Sequence, residues 1–137
     1  MADVGTLAGD WVTTIAVVED NADNRLLLHA LLDGLYRIEE YENRTDALAG
    51  LRARRPDVVL LDISLPGMDG NEILTHIRAD EVLRSLPVIA LTAHAMAGDR
   101  EKYLASGFDD YVTKPIVDET ILIEAIERGL GKAGRSA

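Results

Sequence analysis

Five short apolar runs rich in β-branched residues, "TTIAVV" (13–18), "YRIEEY" (36–41), "DVVLLD" (57–62), "PVIALT" (87–92) and "DDYVT" (109–113), alternate with segments of helical period. Residues 23–33 put Leu27, Leu28, Leu31 and Leu32 on one face and end at Gly34. Residues 45–54 carry Ala47, Leu48 and Leu51 and stop before Pro56, and residues 71–79 carry Ile73, Leu74 and Ile77. Residues 98–106 stop at Gly107; residues 118–128 open on Asp118 as N-cap and carry Ile121, Leu122, Ala125 and Ile126. Strands this apolar need covering on both faces, so the pattern predicts an α/β domain. It is a doubly wound parallel sheet of five strands, (βα)5, with right-handed crossovers. Its expected span is 13–129, after an N-terminal extension (1–12, with Trp11) and before a flexible tail (130–137).

The 137 residues suffice for one domain with a core. A formal net charge of -10 speaks against nucleic-acid binding, which needs a basic patch. The short "RARR" run at 52–55 reads as the solvated C-terminal end of a helix, where cations suit the dipole. With no cysteine, thiol catalysis, disulfides and Cys-based zinc sites are excluded. No signal-peptide pattern opens the chain, and no apolar run nears the ~20 residues of a membrane span. A cytoplasmic protein with no membrane partner is the expectation.

The run "VVLL" ends on Asp62. A carboxylate there costs several kcal/mol if buried unpaired, an order-of-magnitude figure, so it must face a partner. In open α/β sheets, function gathers at the carboxyl ends of the strands near the switch point in strand order. Those ends carry Glu19 and Asp20, Asp62, Thr92, and Lys114. Three converging carboxylates repel one another, and a hard divalent cation resolves the repulsion; Mg²⁺ suits two or three carboxylates with waters and a carbonyl. With the Lys114 charge and the Thr92 hydroxyl, the set suits phosphoryl transfer with Asp62 as nucleophile. His29, His76 and His94 share no metal-site spacing and read as surface residues, while Asp57, Asp69, Asp99, Asp109 and Asp110 read as turn and cap residues.

Four stretches, "VVEDNADNR" (17–25), "VLLDISLPGMDG" (59–70), "IALTAHAM" (89–96) and "DDYVTKPI" (109–116), resemble the receiver domains of two-component response regulators, in order and at the matching strand ends. The resemblance spans nearly the whole expected domain and implies the flavodoxin-like receiver fold. It implies that Asp62 accepts a phosphoryl group from a histidine kinase or histidine phosphotransfer protein. Asp20 would ligate Mg²⁺, Glu19 would help through a bound water, and the Ser64 carbonyl would be a further ligand. Thr92 and Lys114 would contact the phosphoryl group, and Tyr111 would be the aromatic switch that follows Thr92. The Lys114-Pro115 bond would be cis. Ser64 and His94 would lie where the family tunes the lifetime of the acyl phosphate. Glu19 departs from the aspartate common at that position, so a somewhat altered Mg²⁺ affinity is expected.

The role so implied is a signalling module and not an enzyme, apart from promoting its own phosphorylation and dephosphorylation. Its output would pass through contacts with a downstream protein, as a monomer or weak homodimer. Ile116, Ile123 and Leu130 recur every seven residues and form a possible partner face. The same motifs also fit a receiver belonging to a hybrid histidine kinase. Two other classes compete with this reading. A Mg²⁺-dependent phosphatase of the haloacid dehalogenase type needs an acid two residues after the nucleophile, where this chain has Ser64. A flavodoxin-like cofactor binder would cradle phosphate in the loop that here reads "EDNAD", whose charge repels it.

Overall fold

The computed structural model describes residues 13–63, 70–92, 99–114, 116 and 118–132. Strands β1 (Thr14–Val18), β2 (Arg37–Tyr41), β3 (Val58–Asp62), β4 (Val88–Thr92) and β5 (Asp110–Thr113) alternate with five helices. These are α1 (Ala22–Leu32), α2 (Arg44–Ala53), α3 (Gly70–Ala79), α4 (Asp99–Ser106) and α5 (Glu119–Lys132). The strands form one sheet in the order β2-β1-β3-β4-β5, every pairing parallel, as the alternation predicts. The order reverses between β1 and β3, which makes that crevice the switch point.

Alternation along each strand feeds two cores. Ile15, Val17, Val58, Leu60, Ile89 and Leu91 face α1 and α5, where Leu28, Leu32, Leu122, Ala125 and Ile126 meet them. Ala16, Val18, Val59, Leu61, Val88 and Ala90 face the other side, against Ala47, Leu51, Ile73, Leu74, Ile77 and Tyr103. β3 and β4 are buried throughout and β1 from its second residue on, whereas β2 at one edge is only partly covered. Asn21 and Asn43 cap α1 and α2 by accepting from Asn24 N–H and Asp46 N–H, which satisfies donors the helices leave open. Gly34 (φ 85°) and Gly107 (φ 112°) end their helices in the left-handed region that favours glycine. Among the described residues, no helix is long and apolar enough to cross a membrane.

The amino ends of two strands are tied by one device used twice. Thr14 N–H donates to Asp57 Oδ2 at 2.7 Å and Asp57 N–H returns a bond to the Thr14 carbonyl at 2.8 Å. Val88 N–H donates to Asp109 Oδ2 at 2.8 Å and Asp109 N–H bonds the Val88 carbonyl at 2.8 Å. Arg78 reinforces the second tie: its guanidinium bonds Asp109 and the carbonyls of Arg84, Leu86 and Gly107. Arg78→Ala strands several of these acceptors and is expected to cost about 2–4 kcal/mol, read as a lower urea midpoint with unchanged slope.

Three expectations on helix faces need correction. Leu27 is 41% exposed, so α1 buries only Leu28 and Leu32 fully. In α5 the buried series is Leu122, Ala125, Ile126 and Leu130, while Ile121 is 52% exposed. Leu130 stands four residues after Ile126 and so shares its face. The row Ile116, Ile123 and Leu130 is therefore not an exposed partner face: Leu130 is core at 4% exposure, and Ile116 and Ile123 pack against that core. The helix also continues to Lys132, past the boundary expected at 129, so residues 130–132 are helix and not tail. Trp11 lies outside the described residues.

Candidate acidic phosphoacceptor site

Each strand of the central pair ends where its apolar run gives way to a carboxylate. Asp62 is the last residue of β3 and is 2% exposed; Glu19 directly follows β1 and is fully buried; Asp20 beside it is exposed. Oxygen atoms of these three carboxylates lie within 4.8 Å of one another. Lys114, just past β5, reaches across: its Nζ stands 3.1 Å from Asp62 Oδ2 and 3.3 Å from Glu19 Oε1. Thr92 ends β4 and is buried, and its carbonyl accepts from Lys114 N–H at 2.7 Å. Four strands thus deliver the residues that the sequence placed at their ends.

The electrostatics describe a site with more negative charge than one ammonium can offset. Burial, then the hydrogen bond and charge of Asp62, push the Glu19 carboxyl up to about 7, against the Asn21 N–H and Lys114. Burial disfavours the Lys114 ammonium, but the bonds and charges of Asp62 and Glu19 outweigh it and raise its pKa. A divalent cation among these oxygens would remove the repulsion that protonation now relieves. The donor set, three carboxylates and no sulfur or imidazole, is one for a hard ion such as Mg²⁺.

Two residues missed in the sequence complete the site. Arg25, in α1, donates from Nη1 to the carbonyls of Glu19 (2.8 Å) and Asp20 (3.0 Å), and its other nitrogens meet Glu40 and Glu42 at 3.7 and 3.5 Å. It fixes the backbone that presents the two acids. Its place in the quoted "EDNADNR" stretch was the only signal. Tyr103, in α4, donates its hydroxyl to Thr92 Oγ1 at 3.0 Å. Tyr111 is half-buried with its ring 5.5 Å from the Tyr103 ring, so it approaches Thr92 by way of Tyr103. Ser64, His94 and Pro115 lie outside the described residues.

The profile of the response regulator receiver domain family matches residues 15–127. The chain belongs to that family. Among curated relatives of this receiver domain, the polar-differentiation response regulator DivK of Brucella anthropi is 39% identical over 121 residues, covering 88% of this chain and 98% of DivK. The sensor protein GacS of Pseudomonas syringae pv. syringae is 38% identical over 139 residues, covering 98% of this chain but 15% of GacS. The receiver domain of sensor histidine kinase PA1611 from Pseudomonas aeruginosa PAO1 superposes with a TM-score of 0.78 at 37% identity, covering 88% of this chain and 98% of that one. That structure was solved with a magnesium ion coordinated in its active site cleft. Chemotaxis protein CheY4 of Vibrio cholerae shares the fold, with a TM-score of 0.79 at 24% identity over 87% of this chain and 99% of that one.

Proposed function

We propose that Asp62 is the phosphoacceptor of this receiver domain and takes its phosphoryl group from a phosphohistidine on a histidine kinase or phosphotransfer protein. The observation that carries the reading is the Lys114 ammonium, held between Asp62 and Glu19 inside a three-carboxylate cluster at the switch point. Asp62 attacks phosphorus through a carboxylate oxygen, a P–O bond forms, and the P–N bond to the histidine breaks. The imidazole leaves with that electron pair and takes up a proton. Lys114 exchanges its contact with Asp62 for one with the phosphoryl oxygens, and the Thr92 hydroxyl donates to another. Both meet charge as it develops, in a site already ordered. Glu19, Asp20 and Asp62, with the Ser64 carbonyl, would hold Mg²⁺. When bound, the ion supplies positive charge that offsets the carboxylates and the phosphoryl oxygens.

The new group adds about -1.5 to -2 charges, and its pull on Thr92 and Lys114 biases the elements that carry them. Thr92 touches Tyr103 in α4, which touches Tyr111 in β5, so the face formed by α4, β5 and α5 is the one whose contacts change. Output then passes through a downstream protein that distinguishes the two states.

The deciding experiment is intact-protein mass after incubation with acetyl phosphate, with and without Mg²⁺, on wild type and Asp62→Asn. A Mg²⁺-dependent gain of one phosphoryl group in wild type and none in the variant is expected. No gain in folded wild type, or an equal gain in Asp62→Asn, would overturn the assignment.

A further inference from the structure

The hydrogen bond from Tyr103 to Thr92 joins two side chains of different elements inside the protein. Thr92 is 2% exposed at the end of β4, Tyr103 is 8% exposed in the middle of α4, and the O···O distance is 3.0 Å. The direction of that bond follows from chemistry. A phenol is far more acidic than an aliphatic alcohol and its oxygen lone pairs are drawn into the ring, so the phenol is the better donor and the poorer acceptor. Tyr103 gives its proton to Oγ1, and the Thr92 proton must point elsewhere. A hydroxyl has one proton and two acceptor sites, so filling one acceptor site from a fixed direction narrows the orientations left to the O–H.

The ring of Tyr103 is well placed to fix that direction. It meets Phe108 edge to face at 6.1 Å between centroids, and lies 5.5 Å from Tyr111 at a tilt of 43°. Burial among rings removes the rotamer freedom that would blur the bond. In a buried site such a bond also polarises the group that accepts it, so the Thr92 O–H becomes a better donor to a third atom.

We infer that Tyr103 is a positioning residue for phosphoryl transfer, holding the Thr92 hydroxyl in the orientation from which it donates to the incoming phosphoryl group. The inference rests on the reading of Asp62 as phosphoacceptor and of Thr92 as a donor to the group it receives. Tyr103 acts through Thr92, whose Oγ1 accepts its hydroxyl proton.

A double-mutant cycle tests this, with acetyl phosphate and Mg²⁺ as the probes and the rate of phosphoryl gain as readout. Tyr103→Phe keeps the ring and removes the hydroxyl, and is expected to slow the gain about 3- to 10-fold, the range of one hydrogen bond. Thr92→Ala slows the gain by itself, and adding Tyr103→Phe to it should have no further effect. In Thr92→Ser, which keeps the hydroxyl, the Tyr103→Phe effect should persist. Mg²⁺ affinity by calorimetry should be the same in wild type and Tyr103→Phe, because the hydroxyl removed bonds Thr92, which is outside the carboxylate cluster. A residue that only packed would slow the Thr92→Ala background as much as the wild type, and that result overturns the inference. So does a Tyr103→Phe rate equal to wild type while Thr92→Ala is slow; the phosphoacceptor reading then stands. If wild type gains no phosphoryl group, the reading and the inference fall together.

Discussion

Replacing Lys114 by methionine is expected to cost the metal-free protein about 2–3 kcal/mol, and to slow phosphorylation by acetyl phosphate about 10²-fold. The stability term follows from what the ammonium leaves behind. Asp62 and Glu19 are both buried, and Lys114 is the cation that bridges them, at 3.1 and 3.3 Å. Breaking a fully buried pair costs about 3–5 kcal/mol, and the figure here is lower because the Lys114 side chain is 20% exposed. Saturating Mg²⁺ should restore most of the stability, since the ion takes over the offsetting charge. It should also bind the variant more tightly than wild type, one positive charge having left its neighbourhood. Rate does not recover, because the ammonium is absent where charge builds on the phosphoryl oxygens. Thermal unfolding with EDTA and with Mg²⁺ reads the first effect and intact mass the second. A variant as stable as wild type in EDTA would remove the electrostatic account of the site.

The second large effect concerns pH. Glu19 has a folded pKa of about 7 against an ordinary value of 4.5. Between those values the native state holds a proton that the unfolded chain has released, so raising pH through this window favours unfolding. The contribution is fully present below about pH 4.5, falls through the window, and is lost above about pH 7, amounting to roughly 3 kcal/mol at most. Asp80 acts elsewhere: donation from Val82 N–H holds it below its usual 3.8, so its contribution is present above that pH and fades only on further acidification. In EDTA, the urea midpoint of wild type should therefore fall from pH 5 to pH 8. Glu19→Gln should flatten that fall and leave the variant the more stable at pH 8. Mg²⁺ should reverse the trend for wild type, because the ion binds the deprotonated site. A midpoint independent of pH in EDTA would show that Glu19 is already ionised at pH 5.

Strands and acidic site were legible in the sequence for one reason. A central strand of a parallel sheet must be apolar on both faces, so "VVLLD" and "VIALT" announce burial, and the first polar residue after each run marks the sheet end where chemistry gathers. Helix faces were less legible where apolar residues run together. The triplet Leu26-Leu27-Leu28 and the run Ile121-Leu122-Ile123 each fit more than one face, and packing selected Leu28 and Leu122. Leu130 was taken for surface by counting sevens from Ile116, although four residues from Ile126 places it in the core. Arg25 and Tyr103 escaped for a different reason. One acts on backbone carbonyls and the other on a hydroxyl eleven residues away. Neither partner leaves a pattern in composition or period, so only the folded chain reveals them.

The aspartate ties of Asp57 and Asp109 sit at the amino ends of the strands, and the acidic cluster sits at the carboxyl ends. One margin of the sheet is riveted by reciprocal bonds to the chain that enters it, while the other carries the acidic cluster, whose charge the proposed phosphorylation would change. A rearrangement at that margin would therefore have a fixed pivot and need not spread into the strand pairings. That division would let one β-sheet serve as both foundation and moving part, the far rivets keeping the register while phosphorylation acts at the near margin.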